Sequence, residues 1–270
     1  MIATGIENSF YILDIQSVRN RVKKWEEHLP NVEMHYSVKT NCEPVIIREM
    51  VSLGKHFDCT SINEIKLVLS SGGKPENIIF ANPCKAKKHI LFAKTAGVKK
   101  FVVDSSEEVL RFKELYPEAE LVLRIAVTET DAPNPMGKKF GAPEELWGSI
   151  LDTCKNEQIK LLGVSFHVGS GGCHFSAYQE SLENAKKIFS MAKEKGMPDM
   201  ELLDVGGGFS FYNKDEECNF PFVATQLQKA LDTYFPGPNS NIKVMGEPGR
   251  NISQEAQTLV CQIFLVKQQS

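Results

Sequence analysis

From Glu33 onward, short runs of β-branched and aromatic residues alternate with longer stretches whose apolar residues recur at helical spacing. The runs with strand character are "EMHYSV", "FDCT", "NIIFAN", "KFVVD", "LVLRIAV", "LLGVSFHV", "ELLDVGG" and "IKVMGE". Helix punctuation lies between them. Ser61 followed by Glu64 predicts a capping box, Pro44 and Pro143 suit first-turn positions, and Gly97 and Gly196 suit helix exits. Strands that each feed a helix, in this number and at this chain length, predict an α/β fold of the closed (β/α)8 TIM-barrel type rather than an open doubly wound sheet.

Two further strand-like runs fall outside that count, "FYILDI" at Phe10 to Ile15 and "TLVCQIFLVK" at Thr258 to Lys267. A barrel does not need them, and a lone strand is not stable, so they read as strand fragments of an incomplete second β domain. The expected organisation is an N-terminal strand of that second domain over 1–16, the barrel over 17–253, and the first strand of a truncated C-terminal β domain over 254–270. The segment "TETDAPNPMGKKFGA", Thr128 to Ala142, reads as a long functional loop.

Composition narrows the function. A chain of 270 residues, 42% hydrophobic and 24% charged, is a soluble globular protein able to bury a large core. A net charge of -3, with lysines clustered only in short runs such as Lys85 to Lys88, offers no extended basic stripe, so no nucleic-acid partner is expected. The N-terminus lacks a secretory pattern and no apolar run could span a bilayer, which predicts a cytoplasmic protein with no membrane partner. Seven cysteines with no CxxC pair and no Cys/His ligand spacing fit free thiols in a reducing compartment, and no metal is expected.

In a barrel of this kind the site forms at the C-terminal ends of the strands. The unusual residues fall there. Lys39 closes the first strand, Asp58 lies in the second, Asn82 ends the third, Arg124 lies in the fifth, His167 ends the sixth, Gly206 to Gly208 end the seventh and Glu247 ends the eighth. The loops "HVGSGG", "GGGFS" and "EPGR" bring Ser170, Gly207, Gly208, Pro248, Gly249 and Arg250, whose backbone N–H groups and guanidinium suit a phosphate. Each has an ordinary reading as well. Lys39 alone is a solvated strand-end lysine, His167 a satisfied half-buried histidine, Glu247 a partner for Arg250, and the glycine run a tight turn. Arg124 resists such a reading, because a long cation within an apolar strand needs a partner.

A lysine amine, a phosphate cradle, a distant carboxylate and a flat histidine are the parts that hold pyridoxal 5'-phosphate, with a Schiff base on Lys39. Glu247 would keep the pyridine nitrogen protonated, His167 would lie on the ring face, Arg124 would pair with Glu247 or another polar group near the ring, and Asp58 would favour the charged amine. The substrate is then a small amino acid.

The ordered motifs "YSVKTN", "FDCTS", "ANPCK", "LRIAV", "KFGA", "GVSFHVGSG", "LLDVGGGF" and "EPGR" closely resemble the barrel domain of the eukaryotic ornithine decarboxylase family, among the fold-type III pyridoxal-phosphate decarboxylases. The resemblance runs from about Phe10 to Lys267. It implies conversion of ornithine to putrescine in polyamine biosynthesis, with Lys39 carrying the cofactor, Asp58, Arg124 and His167 around it, Ser170, Gly208 and Glu247 to Arg250 at the phosphate, and Glu247 at the pyridine nitrogen. It further implies a homodimer in the full-length form, and a C-terminal β domain whose substrate-reading residues have no counterpart here, so the chain reads as a truncated form. Thr40 stands where cysteine is common and Ser210 where proline is common. An alternative is a catalytically inactive relative that binds the regulator antizyme, but such relatives tend to lose the cofactor contacts kept here. A racemase on the same barrel would place arginine where Glu247 stands. Diaminopimelate, arginine and lysine remain competing substrates.

Overall fold

A computed structural model of the chain describes residues 8–127, 139–170, 175–209, 219–236 and 241–268. The chain opens with β1 (Phe10–Leu13) and α1 (Ile15–His28). Eight β/α units follow: β2 (Val32–Ser37) and α2 (Pro44–Ser52), β3 (His56–Cys59) and α3 (Ile62–Ser70), β4 (Ile78–Phe80) and α4 (Lys87–Thr95), β5 (Lys100–Val103) and α5 (Ser106–Leu115), β6 (Glu120–Arg124) and α6 (Glu144–Asn156), β7 (Lys160–Ser165) and α7 (Phe175–Glu194), β8 (Leu202–Asp204) and α8 (Phe220–Tyr234), and β9 (Lys243–Gly246) with the short α9 (Arg250–Ser253). β10 (Gln257–Val260) ends the regular structure. Strands β2 to β9 are parallel neighbours in sequence order, and β2 also pairs with β9, which closes the (β/α)8 barrel. Every predicted barrel strand is present, with ends shifted by a few residues.

The helix signals operate as chemistry requires. Ser61 caps α3 by accepting the Glu64 N–H at 3.3 Å, while the Glu64 carboxylate reaches back to the Thr60 N–H at 2.7 Å. Pro44 opens α2, and Pro143 sits at the cap of α6, one residue earlier than a first-turn position. Gly97 and Gly196 follow α4 and α7 with φ of +82° and +68°, the left-handed exit that glycine takes without a Cβ clash.

Alternation along the strands sorts side chains into two layers. Met34, Tyr36, Phe57 and Cys59 face the helices and join the main core. Ile79, Ala81, Val102, Val122, Leu162, Leu202 and Met245 form a separate apolar cluster inside the barrel. Helix α1 locks onto the outside through buried Trp25, whose indole N–H donates to the Val32 carbonyl at 3.0 Å and whose ring stacks on Phe220 at 5.4 Å. Lys85, within the short lysine run, is 2% exposed and donates to the Val102 carbonyl at 2.5 Å beside Glu108. Burial draws its pKa down to about 8 although Glu108 opposes this.

The two runs outside the barrel count pair with each other. β1 and β10 form an antiparallel ribbon, Phe10 opposite Val260 and Leu13 opposite Gln257. Tyr11, Ile12 and Leu259 on it are exposed, as are Ile263 to Val266 beyond it.

Candidate active site

Because successive side chains in a strand alternate, a residue two positions beyond an inward-facing one also points inward, at the C-terminal mouth. Ser37, Asp58, Arg124 and Asp204 occupy such positions at or near the ends of β2, β3, β6 and β8, and Glu247 extends β9 by one residue. Register sets the neighbours: Ser37 lies opposite Asp58, and Asp204 opposite Met245. Lys39 sits in a single turn of 3-10 helix immediately past β2 rather than in the strand itself.

The Lys39 ammonium lies 2.8 Å from Asp58 Oδ2, and the Ser37 hydroxyl donates to the same oxygen at 2.6 Å while lying 3.1 Å from the Glu247 carbonyl. Asp58 is fully buried, and its Oδ1 has no hydrogen-bond partner among the described residues. Burial alone would draw the amine down. The charges of Asp58 and then Glu247 outweigh it and hold Lys39 at about 12. At neutral pH the amine is therefore a cation waiting for a partner that can take its proton.

On the far side two carboxyls share a dry space. Burial pushes Glu247 well above the usual carboxylate range, with Asp204 and Asp58 adding repulsion against the opposing pull of Lys39 and Arg124. Burial likewise raises Asp204 to about 7, although its Oδ1 accepts the Gly206 N–H at 2.8 Å. Two adjacent carboxylates cannot both ionise cheaply in low dielectric, so the pair retains a proton. Glu247 Oε1 is buried and has no partner among the described residues. Arg124 supplies compensating charge nearby, with its guanidinium over the Phe140 ring at 5.3 Å and its own pKa lowered by burial.

His167 follows β7 by two residues. Its Nδ1 accepts the Gly169 N–H at 3.0 Å, which puts the ring proton on Nε2. Burial, then the Arg124 and Lys39 charges, lower its pKa to about 3, so the imidazole stays neutral. Gly207 leaves the ring its room, since a Cβ there would lie 2.9 Å from His167 Nε2 and 2.8 Å from the Glu247 carbonyl. Gly208, at φ +102°, would place a Cβ 2.3 Å from the Gly169 carbonyl. These clashes are with backbone or a fixed ring, so no side chain is tolerated. The Ser37 N–H donates to the Pro248 carbonyl at 3.1 Å, which ties the loop after β9 to β2.

One pocket is lined by Lys39, His167, Ser170, Gly208, Glu247 and Arg250, with Ser37, Thr40 and Gly249 between them. The loops after β2, β7, β8 and β9 thus meet as the sequence pattern predicts. Behind that lining Asp58 holds Lys39, Pro248 is tied to Ser37 and Gly207 leaves room for His167, whereas Arg124 is not among the lining residues and faces Phe140. Ser210, Gly171, Gly172 and residues 128–138 lie outside the described residues. The sequence reading passed over Ser37, Asp204 and Tyr178, whose buried hydroxyl donates to the Gly207 carbonyl at 3.1 Å. Asp204 had a usable signal, because an aspartate inside the apolar run "LLDV" needs a partner for the same reason as Arg124. Ser37 and Tyr178 had none.

Residues 15–254 match the family described as pyridoxal-dependent decarboxylase, pyridoxal binding domain. The chain is 38% identical over 259 residues to an ornithine decarboxylase of Caenorhabditis elegans, an alignment that covers 96% of this chain and 60% of the relative. It therefore spans about 60% of the length of that curated relative. Among solved structures, the arginine decarboxylase of Paramecium bursaria Chlorella virus bound to agmatine superposes with a TM-score of 0.90 at 32% identity, covering 95% of this chain and 68% of that one. The lysine/ornithine decarboxylase of Vibrio vulnificus complexed with putrescine gives 0.84 at 29% identity, covering 94% and 66%. Among the described residues no helix is long and apolar enough to cross a membrane. A match that extends through every β/α unit of the barrel, rather than over a few motifs, makes this chain a member of the pyridoxal-dependent decarboxylase family through its pyridoxal-binding domain.

Proposed function

We propose that this chain is the cofactor-binding part of an amino-acid decarboxylase that converts ornithine to putrescine. The observation that carries the proposal is a single pocket with the Lys39 amine, held by Asp58 at 2.8 Å, and the buried, unpartnered Oε1 of Glu247. Both fit pyridoxal phosphate. An amine meets its aldehyde, a carboxyl meets its ring nitrogen, and the Gly208 backbone with Ser170 and Arg250 meets its phosphate. Bound there, the group supplies an electron-accepting ring for the bond broken as carbon dioxide leaves.

The chain's own residues do the rest. Asp58 and Ser37 fix the Lys39 Nζ and govern its proton. Glu247 would hold a proton toward the ring nitrogen, because burial and then the Asp204 charge make its loss expensive. The neutral His167 offers a flat face without adding a charge that would compete with Arg124. Ornithine is preferred over arginine and lysine because the Caenorhabditis elegans relative is an ornithine decarboxylase. The reading includes a cytoplasmic protein acting as a homodimer, with the β1–β10 ribbon belonging to a second β unit beside a barrel over residues 17–253.

Two measurements test this. After incubation with pyridoxal phosphate and borohydride reduction, peptide mass spectrometry should find the pyridoxyl group on Lys39; the same yield in Lys39→Ala would remove the assignment. Carbon dioxide release should be fastest from ornithine, and a higher rate from lysine or arginine would overturn the substrate.

A further inference from the structure

The opposite mouth of the barrel carries a second group of chemically capable side chains. Glu33, His35 and Ser37 alternate along β2 toward the interior, and His56 and Asp58 do the same along β3. His35 pairs directly with His56 in the register. Thus Ser37 and Asp58 serve the upper pocket, while His35 and His56, two residues earlier on the same strands, meet Glu33 below it. His35 Nε2 lies 3.2 Å from Glu33 Oε2, and His56 Nδ1 lies 3.2 Å from the same oxygen. The donor atoms of all three fall within 4.8 Å of one another.

We propose that Glu33, His35 and His56 form a binding site for a first-row divalent cation such as Zn²⁺. The donor set is the two-histidine, one-carboxylate kind that zinc accepts, and the spacing fits. Bonds of about 2.1 Å at a tetrahedral angle separate neighbouring ligand atoms by about 3.4 Å, close to the two 3.2 Å separations from Glu33 Oε2, and the histidine–histidine pair lies within 4.8 Å. The alternative, a histidine–carboxylate hydrogen-bond cluster, leaves a remainder. His56 Nδ1 is buried at 3.2 Å from the carboxylate yet lacks hydrogen-bond geometry, so its lone pair or proton is unsatisfied. A cation placed between the three donors uses that nitrogen.

The Glu33 carboxylate brings the negative charge of the donor set. Lys100 opposes a cation here by charge, but its ammonium is turned to the Glu76 carbonyl at 2.9 Å. Glu33 is half exposed, which leaves the remaining coordination position open to water. Bound there, the ion would clasp β2 to β3 at the end of the barrel away from Lys39, as a structural cation.

Isothermal titration of the purified 270-residue chain with Zn²⁺, and with Co²⁺ followed by visible absorption, tests the proposal. One equivalent should bind, and the Co²⁺ form should show tetrahedral d–d bands without thiolate charge transfer. Glu33→Gln and His56→Ala, near the surface and folded by circular dichroism, should each weaken binding by at least about tenfold. Lys39→Ala and alkylation of the exposed Cys42, Cys84 and Cys261 should leave it unchanged. Absence of binding, affinity unaltered in both ligand variants, or loss on thiol alkylation would each overturn the site.

Discussion

Replacing Asp58 by asparagine isolates the contact that governs Lys39. The substitution keeps the shape of a fully buried side chain and removes its charge, leaving burial as the main influence on the amine. Lys39 stands at about 12 against an ordinary 10.5, so return to the ordinary value alone would raise the free-amine fraction at pH 8 by about thirty-fold. The side chain is 42% exposed, so solvent screening trims that figure, while the cost of burial, then opposed chiefly by Glu247, adds to it. Competitive labelling with acetic anhydride, read at Lys39 by mass spectrometry against an exposed lysine, measures the change directly. A labelling rate that is unchanged or slower in folded Asp58→Asn would refute the account of Asp58 as the group that keeps Lys39 charged.

Other consequences are equally open to measurement. Asp204 is raised to about 7 from 3.8, so its native state binds more protons than the unfolded chain; that contribution is present below pH 4 and fades as pH rises through 7. Asp58→Asn removes the neighbouring carboxylate charge that adds to the effect of burial on Asp204, and the difference in melting temperature between pH 5 and pH 7.5 should shrink. An unchanged difference would uncouple the two carboxyls. Gly208→Ala forces a Cβ to within 2.3 Å of the Gly169 carbonyl at a left-handed φ, and urea unfolding should show a loss of about 1–3 kcal/mol together with weaker cofactor binding. Trp25→Ala removes a buried ring that touches Phe209 edge-on at 4.9 Å as well as Phe220; it should cost about 3–5 kcal/mol and loosen the pocket wall that Phe209 forms, seen as a faster cofactor off-rate.

Much of this molecule was legible before any fold was known. Alternating apolar runs and helical periods are local properties, and the caps at Ser61, Gly97 and Gly196 act within a few residues, so the β/α order and the closed barrel follow from the chain itself. The rule that strand ends carry the site placed Lys39, His167, Ser170, Gly208, Glu247 and Arg250 at one rim, and the structure brings these six into the lining of one pocket. What the chain did not declare are the contacts that depend on register between distant strands. Ser37 meets Asp58 and the Glu247 carbonyl across sequence separations of 21 and 210 residues. Lys85, one of a short run of lysines, is buried because the β5 carbonyl and α5 close over it. Glu33, His35 and His56 have no ligand spacing that a sequence motif would flag, and they converge only because β2 and β3 align His35 with His56. Strand propensity is decided by each residue and its neighbours, whereas register is decided by how the whole barrel closes, and the proton-sharing carboxyls and the lower-mouth cluster are products of that closure.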